Sequence, residues 1–268
     1  TSPFAFTGNK FEFRAVGSTA NCSAAMVAIN AIVAKQLIDF KKDVDARISK
    51  GDKKDEAILK ELQKLIIESK SIRFEGNGYG EEWVKEAKKR GLSNFMDTPR
   101  ALKVMKSKDY VNLFDQLNIL TKREIEARHE VDLENYIMKI QIEARILGDI
   151  CQTHVIPPAI KYQNELIRNV SGLQDVLGSD SKKASKVQVN LIAEISDHLS
   201  VIKDSVDKMV EERKKANSIE SSEEKADAYC DKVKPFFDEI RYHADKLEMI
   251  IDDEYWRLPK LRELLFTK

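Results

Sequence analysis

The chain has 268 residues, of which 42% are hydrophobic and 34% charged, with only 10 glycines and 6 prolines. That mixture suits long amphipathic helices with solvated outer faces and argues against an all-β fold built on many tight turns. Lysine plus arginine and aspartate plus glutamate number 45 each, so no net charge steers the chain to nucleic acid or to an anionic membrane.

Residues 1–17 stand apart, holding Phe4, Phe6, Phe11 and Phe13. From Lys10 to Val16 polar and apolar side chains alternate. That period of two predicts a β-strand with its phenylalanines on one face and Lys10, Glu12 and Arg14 on the other. Thr7-Gly8-Asn9 supplies the turn before it. After Asn21 the pattern is helical. Ala24 to Ile48 starts apolar nearly all round, becomes charged and stops at Gly51; its first half is expected to be buried. Asp55 to Ser71 predicts a second helix with Ile58, Leu62, Leu65 and Ile66 along one stripe. Gly76, Gly78 and Gly80 break the chain, Glu81 to Arg90 forms a short helix ended by Gly91, and Thr98-Pro99 opens another. Tyr110, Leu113, Phe114 and Leu117 continue the apolar spacing.

Thr121-Lys122-Arg123-Glu124 matches a capping box. A very long helical pattern follows, with Leu133, Ile137, Ile140, Ala144, Leu147 and Cys151 on one face. Pro157-Pro158 should break or kink it near His154, and Ser171-Gly172 and Gly178-Ser179 end the stretch. Leu191, Ile195, His198, Ile202, Val206 and Met209 make the next stripe, and Tyr229, Val233, Phe236, Ile240, Ala244, Leu247 and Ile251 the last. Stripes of this length joined by short polar loops read as an up-and-down helical bundle. A short terminal helix runs through Phe266. The longest apolar run, Ala24 to Ala34, is interrupted by Asn30, well under the roughly 20 residues of a membrane span. The N-terminus lacks the basic and apolar regions of a signal peptide. Cys22, Cys151 and Cys230 are dispersed without a CxxC pair, which fits a reducing, cytoplasmic setting.

Glu12 and Arg14 are the best chemical candidates. On a strand they point the same way, about 6–7 Å apart. A carboxylate offers a hard oxygen ligand to a divalent cation, and a guanidinium clamps a carboxylate or phosphate with its planar fork. The alternative is a cross-strand ion pair on a solvated face. Glu126-Ala127-Arg128-His129 has the spacing of half a di-iron bundle site, but no second Glu-x-x-His exists; His129, alone on a charged helix, reads as a surface residue. His198 lies on an apolar stripe and is expected to be hydrogen-bonded in the core or an interface, and His154 to serve a helix end. Gly76-Asn77-Gly78-Tyr79-Gly80 lacks the lysine and preceding strand of a phosphate loop.

The run from Thr1-Ser2-Pro3-Phe4-Ala5-Phe6 through Lys10-Phe11-Glu12-Phe13-Arg14 to Ala20-Asn21 closely resembles the end of the catalytic domain in type III glutamine synthetases. The resemblance continues through Glu82-Trp83, Arg90-Gly91-Leu92, Asn94-Phe95-Met96-Asp97-Thr98-Pro99, Leu133-Glu134-Asn135-Tyr136 and Asp253-Glu254-Tyr255-Trp256-Arg257-Leu258-Pro259, so it covers essentially the whole chain. It implies an enzyme that makes glutamine from glutamate, ammonia and ATP through a γ-glutamyl phosphate, with two divalent cations, Mg²⁺ or Mn²⁺. It makes Glu12 a ligand of the cation on the ATP phosphates. Arg14 becomes the residue that holds the glutamate side-chain carboxylate and the moving phosphoryl group, and Lys10 a contact to a nucleotide phosphate. The remaining metal ligands and the ammonia site would lie upstream of Thr1, and Ala5 stands where other classes place a second arginine.

The resulting expectation is a mainly α fold, a helical bundle with a short N-terminal β segment left from a catalytic α+β domain. Residues 1–50 end the catalytic domain, 51–120 form a helical connector and 121–268 a class-specific bundle. The partners implied are the upstream catalytic domain and further copies in a ring, with no nucleic acid and no membrane. The piece alone is expected to be inactive. The rival reading is a non-catalytic helical interaction module in which Glu12 and Arg14 form only an ion pair.

Overall fold

The computed structural model describes residues 4–6, 10–13, 21–78 and 80–266. The fold is mainly α. Two short strands, β1 (Phe4–Phe6) and β2 (Phe11–Phe13), pair antiparallel, with Phe4 opposite Phe13, Ala5 opposite Glu12 and Phe6 opposite Phe11. Residues 14–16 of the predicted strand lie outside the described residues. The chain divides into two compact units, one of Thr1–Met96 with Lys103–Ala127 and one of Asp97–Leu102 with Arg128–Lys268.

In the first unit, α1 (Ser23–Ser49) packs on α2 (Lys54–Glu68), and α3 (Glu81–Lys89) follows. The Asn21 side chain accepts from the Ser23 amide at 2.8 Å and so tidies the start of α1. Gly51, at φ 105°, lets the chain leave α1, a conformation that side chains resist. The apolar half of α1 does not behave as the sequence suggests. Among its residues only Ala31 and Val44 are buried, while Met26, Ile32, Leu37 and Ile38 are exposed. By length and composition α1 is also the one helix among the described residues long and apolar enough to cross a bilayer, since Leu37 and Ile38 follow the polar Lys35-Gln36 pair and keep the mean hydropathy high. On α2 the predicted stripe is displaced: Leu62 and Ile66 are exposed, and Ala57 and Glu61 are buried instead. Arg47 reaches from α1 to the Glu61 carboxylate and gives that buried acid its partner.

Gly76 sits at φ 152° under an aromatic stack, and a Cβ there would meet the Phe74 ring at 2.9 Å. Phe74 stacks on Trp83 with centroids 4.0 Å apart, and Arg90 lies 5.5 Å over the Trp83 ring while donating to the Arg73 carbonyl at 2.8 Å. The glycine segment is therefore held by packing at this point. Further on, α5 (Lys108–Gln116) buries Phe114 together with Ala31 and Ile125 in a small core.

The second unit includes α4 (Thr98–Leu102) and is built mainly on α6 (Lys122–Ile150), α7 (Ile156–Leu177), α9 (Lys186–Asn217) and α11 (Pro235–Ile250). Two short helices, α8 (Ser181–Ala184) and α10 (Ser222–Ala228), link them. The three predicted stripes meet in one core, where Ile195, Ile202, Val206, Met209, Tyr229, Val233, Ile240 and Leu247 are fully enclosed. The helix expected to break or kink near His154 widens there into a π-helical turn, Cys151–Val155, and continues as α7. A second π turn, Tyr229–Val233, precedes Pro235. Proline lacks an N–H and its ring crowds the carbonyl four residues back, so a wider turn before it relieves both conflicts. His154 accordingly lies exposed in a π turn, not at a helix end. Gly172 stays inside α7, and Gly178, at φ 57°, ends it. At the C-terminus Lys260 is buried, its ammonium bonded to the Ile251 carbonyl at 2.8 Å and to Asp253 at 2.6 Å. That anchor holds Trp256 in the core.

Candidate functional site

Alternation along β2 puts Lys10 and Glu12 on one side, and their head groups meet, Lys10 Nζ to Glu12 Oε1 at 3.8 Å. Glu12 is half-buried and Lys10 exposed. Across the hairpin Glu12 faces the backbone of Ala5, a residue that brings no charge. Arg14, the third member of the predicted face, lies outside the described residues. The described part of the strand thus offers one hard carboxylate and one mobile cation. Among the described residues no group of three or more His, Cys, Asp or Glu side chains is arranged to hold a metal ion. A hard divalent cation takes about six or more oxygen ligands, so Glu12 could supply one of several and could not hold the ion by itself.

The histidines fall differently from their sequence reading. His129 is 3% exposed, a buried residue and not a surface one. Its Nε2 has no hydrogen-bond partner among the described residues, and Glu126 pairs with Lys122 at 3.7 Å. The Glu-x-x-His spacing therefore gathers no ligand set. His198 does take a hydrogen-bond partner, His243, with their Nδ1 atoms 2.8 Å apart. Glu239 is bound by Ser205 Oγ at 2.8 Å. Burial pushes the Cys151 thiol up to about 11, which keeps it protonated and unreactive.

Two features had no sequence signal. Arg100 on α4 grips Asp231 in the second π turn through both terminal nitrogens, at 2.8 and 2.5 Å. Asp207, Glu211, Glu212, Lys208, Lys215, Lys232 and Phe236 line an open groove of about 550 Å³. Arg100 and Asp231 are far apart in sequence, and in the groove Lys232 and Phe236 join five residues that share one face of α9, so in both cases the meeting of distant segments is what the sequence does not show.

Residues 57–174 match the family described as the glutamine synthetase C-terminal domain. Over its whole length the chain is 49% identical to a glutamine synthetase of Bacteroides fragilis (strain YCH46) and spans 37% of that protein. It is 33% identical to a type-3 glutamine synthetase of Dictyostelium discoideum, spanning 36% of it. A glutamine synthetase of Butyrivibrio fibrisolvens is 30% identical, with 37% of its length spanned. The chain thus covers little more than a third of the length of these relatives.

Proposed function

We propose that this chain, which belongs to the glutamine synthetases and corresponds to their C-terminal portion, contributes one strand to the active site of an ATP-dependent glutamate–ammonia ligase. Similarity along the entire chain to a glutamine synthetase, at 49% identity, carries the reading. The shared face of Lys10 and Glu12 on β2 agrees with it. Glu12 gives one oxygen ligand to a Mg²⁺ or Mn²⁺ ion that offsets the charge on ATP. The other ligands come from the remainder of the full-length protein and from the phosphates, as the lone carboxylate requires. Arg14 holds the glutamate γ-carboxylate and the transferring phosphoryl group in its fork, and Lys10 meets a nucleotide phosphate as a mobile point charge. A γ-carboxylate oxygen takes the phosphoryl group and ADP leaves; ammonia then attacks the acyl carbon, phosphate leaves and the nitrogen gives up one proton, giving glutamine. Such a transfer depends on positioned positive charge, which this strand is suited to give. The described residues hold no full ligand set, and the chain alone is inactive.

The exposed apolar residues support a second part of the proposal. Ile32, Leu37 and Ile38 on α1 and Leu59, Ile66 and Ile67 on α2 are exposed in this chain. In the full-length protein they pack on the rest of the catalytic domain or on a neighbouring copy in a ring. Residues 1–50 then close the catalytic domain, 51–120 connect, and 121–268 form the class-specific bundle. A cytoplasmic location fits the three free cysteines.

The Lys10–Glu12 ion pair is also what a non-catalytic module would show. Mn²⁺ titration of the full-length protein with ATP separates the two readings. Glu12→Gln weakens Mn²⁺ binding by about tenfold or more if Glu12 is a ligand, and unchanged affinity favours the module.

A further inference from the structure

Between α9 and α11 the rings of His198 and His243 meet edge to face, with centroids 5.0 Å apart and Nδ1 atoms at 2.8 Å. Two neutral imidazoles satisfy that contact only when one Nδ1 carries a hydrogen and the other presents its lone pair. Two imidazolium rings would set two N–H groups and two positive charges against each other. The His198 side chain is 14% exposed, so water screens the pair poorly. On α9, Glu194 lies 3.9 Å from His198 Nε2, and Asp197 is adjacent. On α11, Tyr242 meets the His243 ring at 5.2 Å, and Lys246 sits 5.4 Å over Tyr242. Helix α7, which also packs on α9, meets it through the neutral Gln163, bonded to the Ile192 carbonyl and the Ser196 hydroxyl. Burial first, and then His243, hold His198 below the ordinary value of 6.5; Lys246 acts the same way, while Glu194 and Asp197 oppose them.

We propose that His198 and His243 form a proton-operated latch between α9 and α11, closed by one shared hydrogen at neutral pH and opened locally when both rings are protonated. The opening is local because the Ser205–Glu239 hydrogen bond, at 2.8 Å, and the enclosed Ile202, Ile240 and Leu247 clamp the same two helices. The Nδ1 separation of 2.8 Å is a hydrogen-bond length, too short to seat a metal ion between the two nitrogens. His198 binds its proton less readily in the folded state than in the unfolded one. The stability tied to the latch is therefore whole above pH 6.5 and is lost as the pH falls from there through the folded-state value.

The test is a histidine NMR titration of the chelator-treated chain from pH 8 to 5, with amide exchange followed along 198–202 and 243–247. Titration of His198 below the free-histidine value, moving up in His243→Gln, is the expected result. Protection at those amides falls with acid in the titrating range, by about tenfold per pH unit for each proton that opening takes up. In the His198→Gln/His243→Gln double variant that acid loss disappears. Titration of His198 at the ordinary value, unmoved by His243→Gln, overturns the latch, and so does acid opening that persists in the double variant. A pairing that vanishes on chelator treatment reveals a bridging metal and also overturns it. The wild-type titration decides the matter even if the double variant fails to fold.

Discussion

Arg100 and Asp231, 131 positions apart, face each other fork to fork, at 2.8 and 2.5 Å. Asp97 adds a carboxylate 3.4 Å from the same guanidinium and accepts from the Arg100 amide at 2.9 Å. The hydrogen bond to Asp231 is the largest cause raising the Arg100 pKa above its usual value. A helix of five residues cannot hold its own shape, so α4 rests on this grip and on the buried Pro99. Arg100→Ala therefore releases α4 while leaving the bundle folded. Amide protection over 98–102 should drop roughly threefold or more, as for an exposed pair of good geometry, with little change in Tm. Arg100→Lys rescues only in part, since an ammonium cannot make the two-pronged contact. Equal protection in wild type and Arg100→Ala would contradict the role assigned to the pair.

The capping box at the start of α6 gives a second prediction. The Thr121 amide donates to Glu124 Oε2 at 2.8 Å, and the Glu124 amide donates back to Thr121 Oγ1 at 3.4 Å. Thr121→Ala should cost about 1 kcal/mol in urea unfolding, and Thr121→Ser should cost little.

Burial separates two isoleucines that look alike in sequence. Ile202 is 0% exposed in the main core and Ile67 is 73% exposed on α2. Ile202→Ala should destabilise the chain by about 2–5 kcal/mol. Ile67→Ala should stay within about 0.5 kcal/mol in this chain. In the full-length protein, Ile67→Asp should weaken assembly, which sedimentation would report, if the α2 face is covered there.

Acid should act on the first unit through Glu61. Its hydrogen bond with Arg47 holds the carboxyl below the ordinary 4.5, against the opposing effect of burial, and Lys64 assists. A depressed folded-state value means that the stabilisation is complete above pH 4.5 and is lost as the pH falls through that lower value. Melts between pH 7 and pH 3 should show this slope in wild type and a shallower one in Glu61→Gln.

The sequence revealed the bundle because its stripes are long and regular. Leu133 to Cys151, Leu191 to Met209 and Tyr229 to Ile251 each repeat at helical spacing, and burial on one face is what produces that period. Elements defined by a distant partner were not legible. Glu61 is buried only because Arg47 reaches it, and periodicity instead favoured Leu62 and Ile66. His129 sits among charged neighbours yet is enclosed, and the π turns are a local answer to Pro157 and Pro235 that hydrophobic spacing does not record. The apolar half of α1 read as core, but among the described residues it buries only Ala31, beside Phe114 and Ile125. Of the candidate site, Lys10 and Glu12 lie together as the alternation predicted, and Arg14 lies outside the described residues.

The central claim is that the segment of sequence bearing Glu12 and Arg14 belongs to a ligase active site. ATP- and Mg²⁺-dependent glutamine formation by the full-length protein tests it, with Glu12→Ala and Arg14→Ala compared with wild type and the 268-residue chain assayed alone. Both variants should lose turnover by about a hundredfold or more while remaining folded and assembled, as expected for groups acting on transition-state charge, and the chain alone should make no glutamine. Turnover near the wild-type rate in either variant, or glutamine made by the chain alone, would contradict the account.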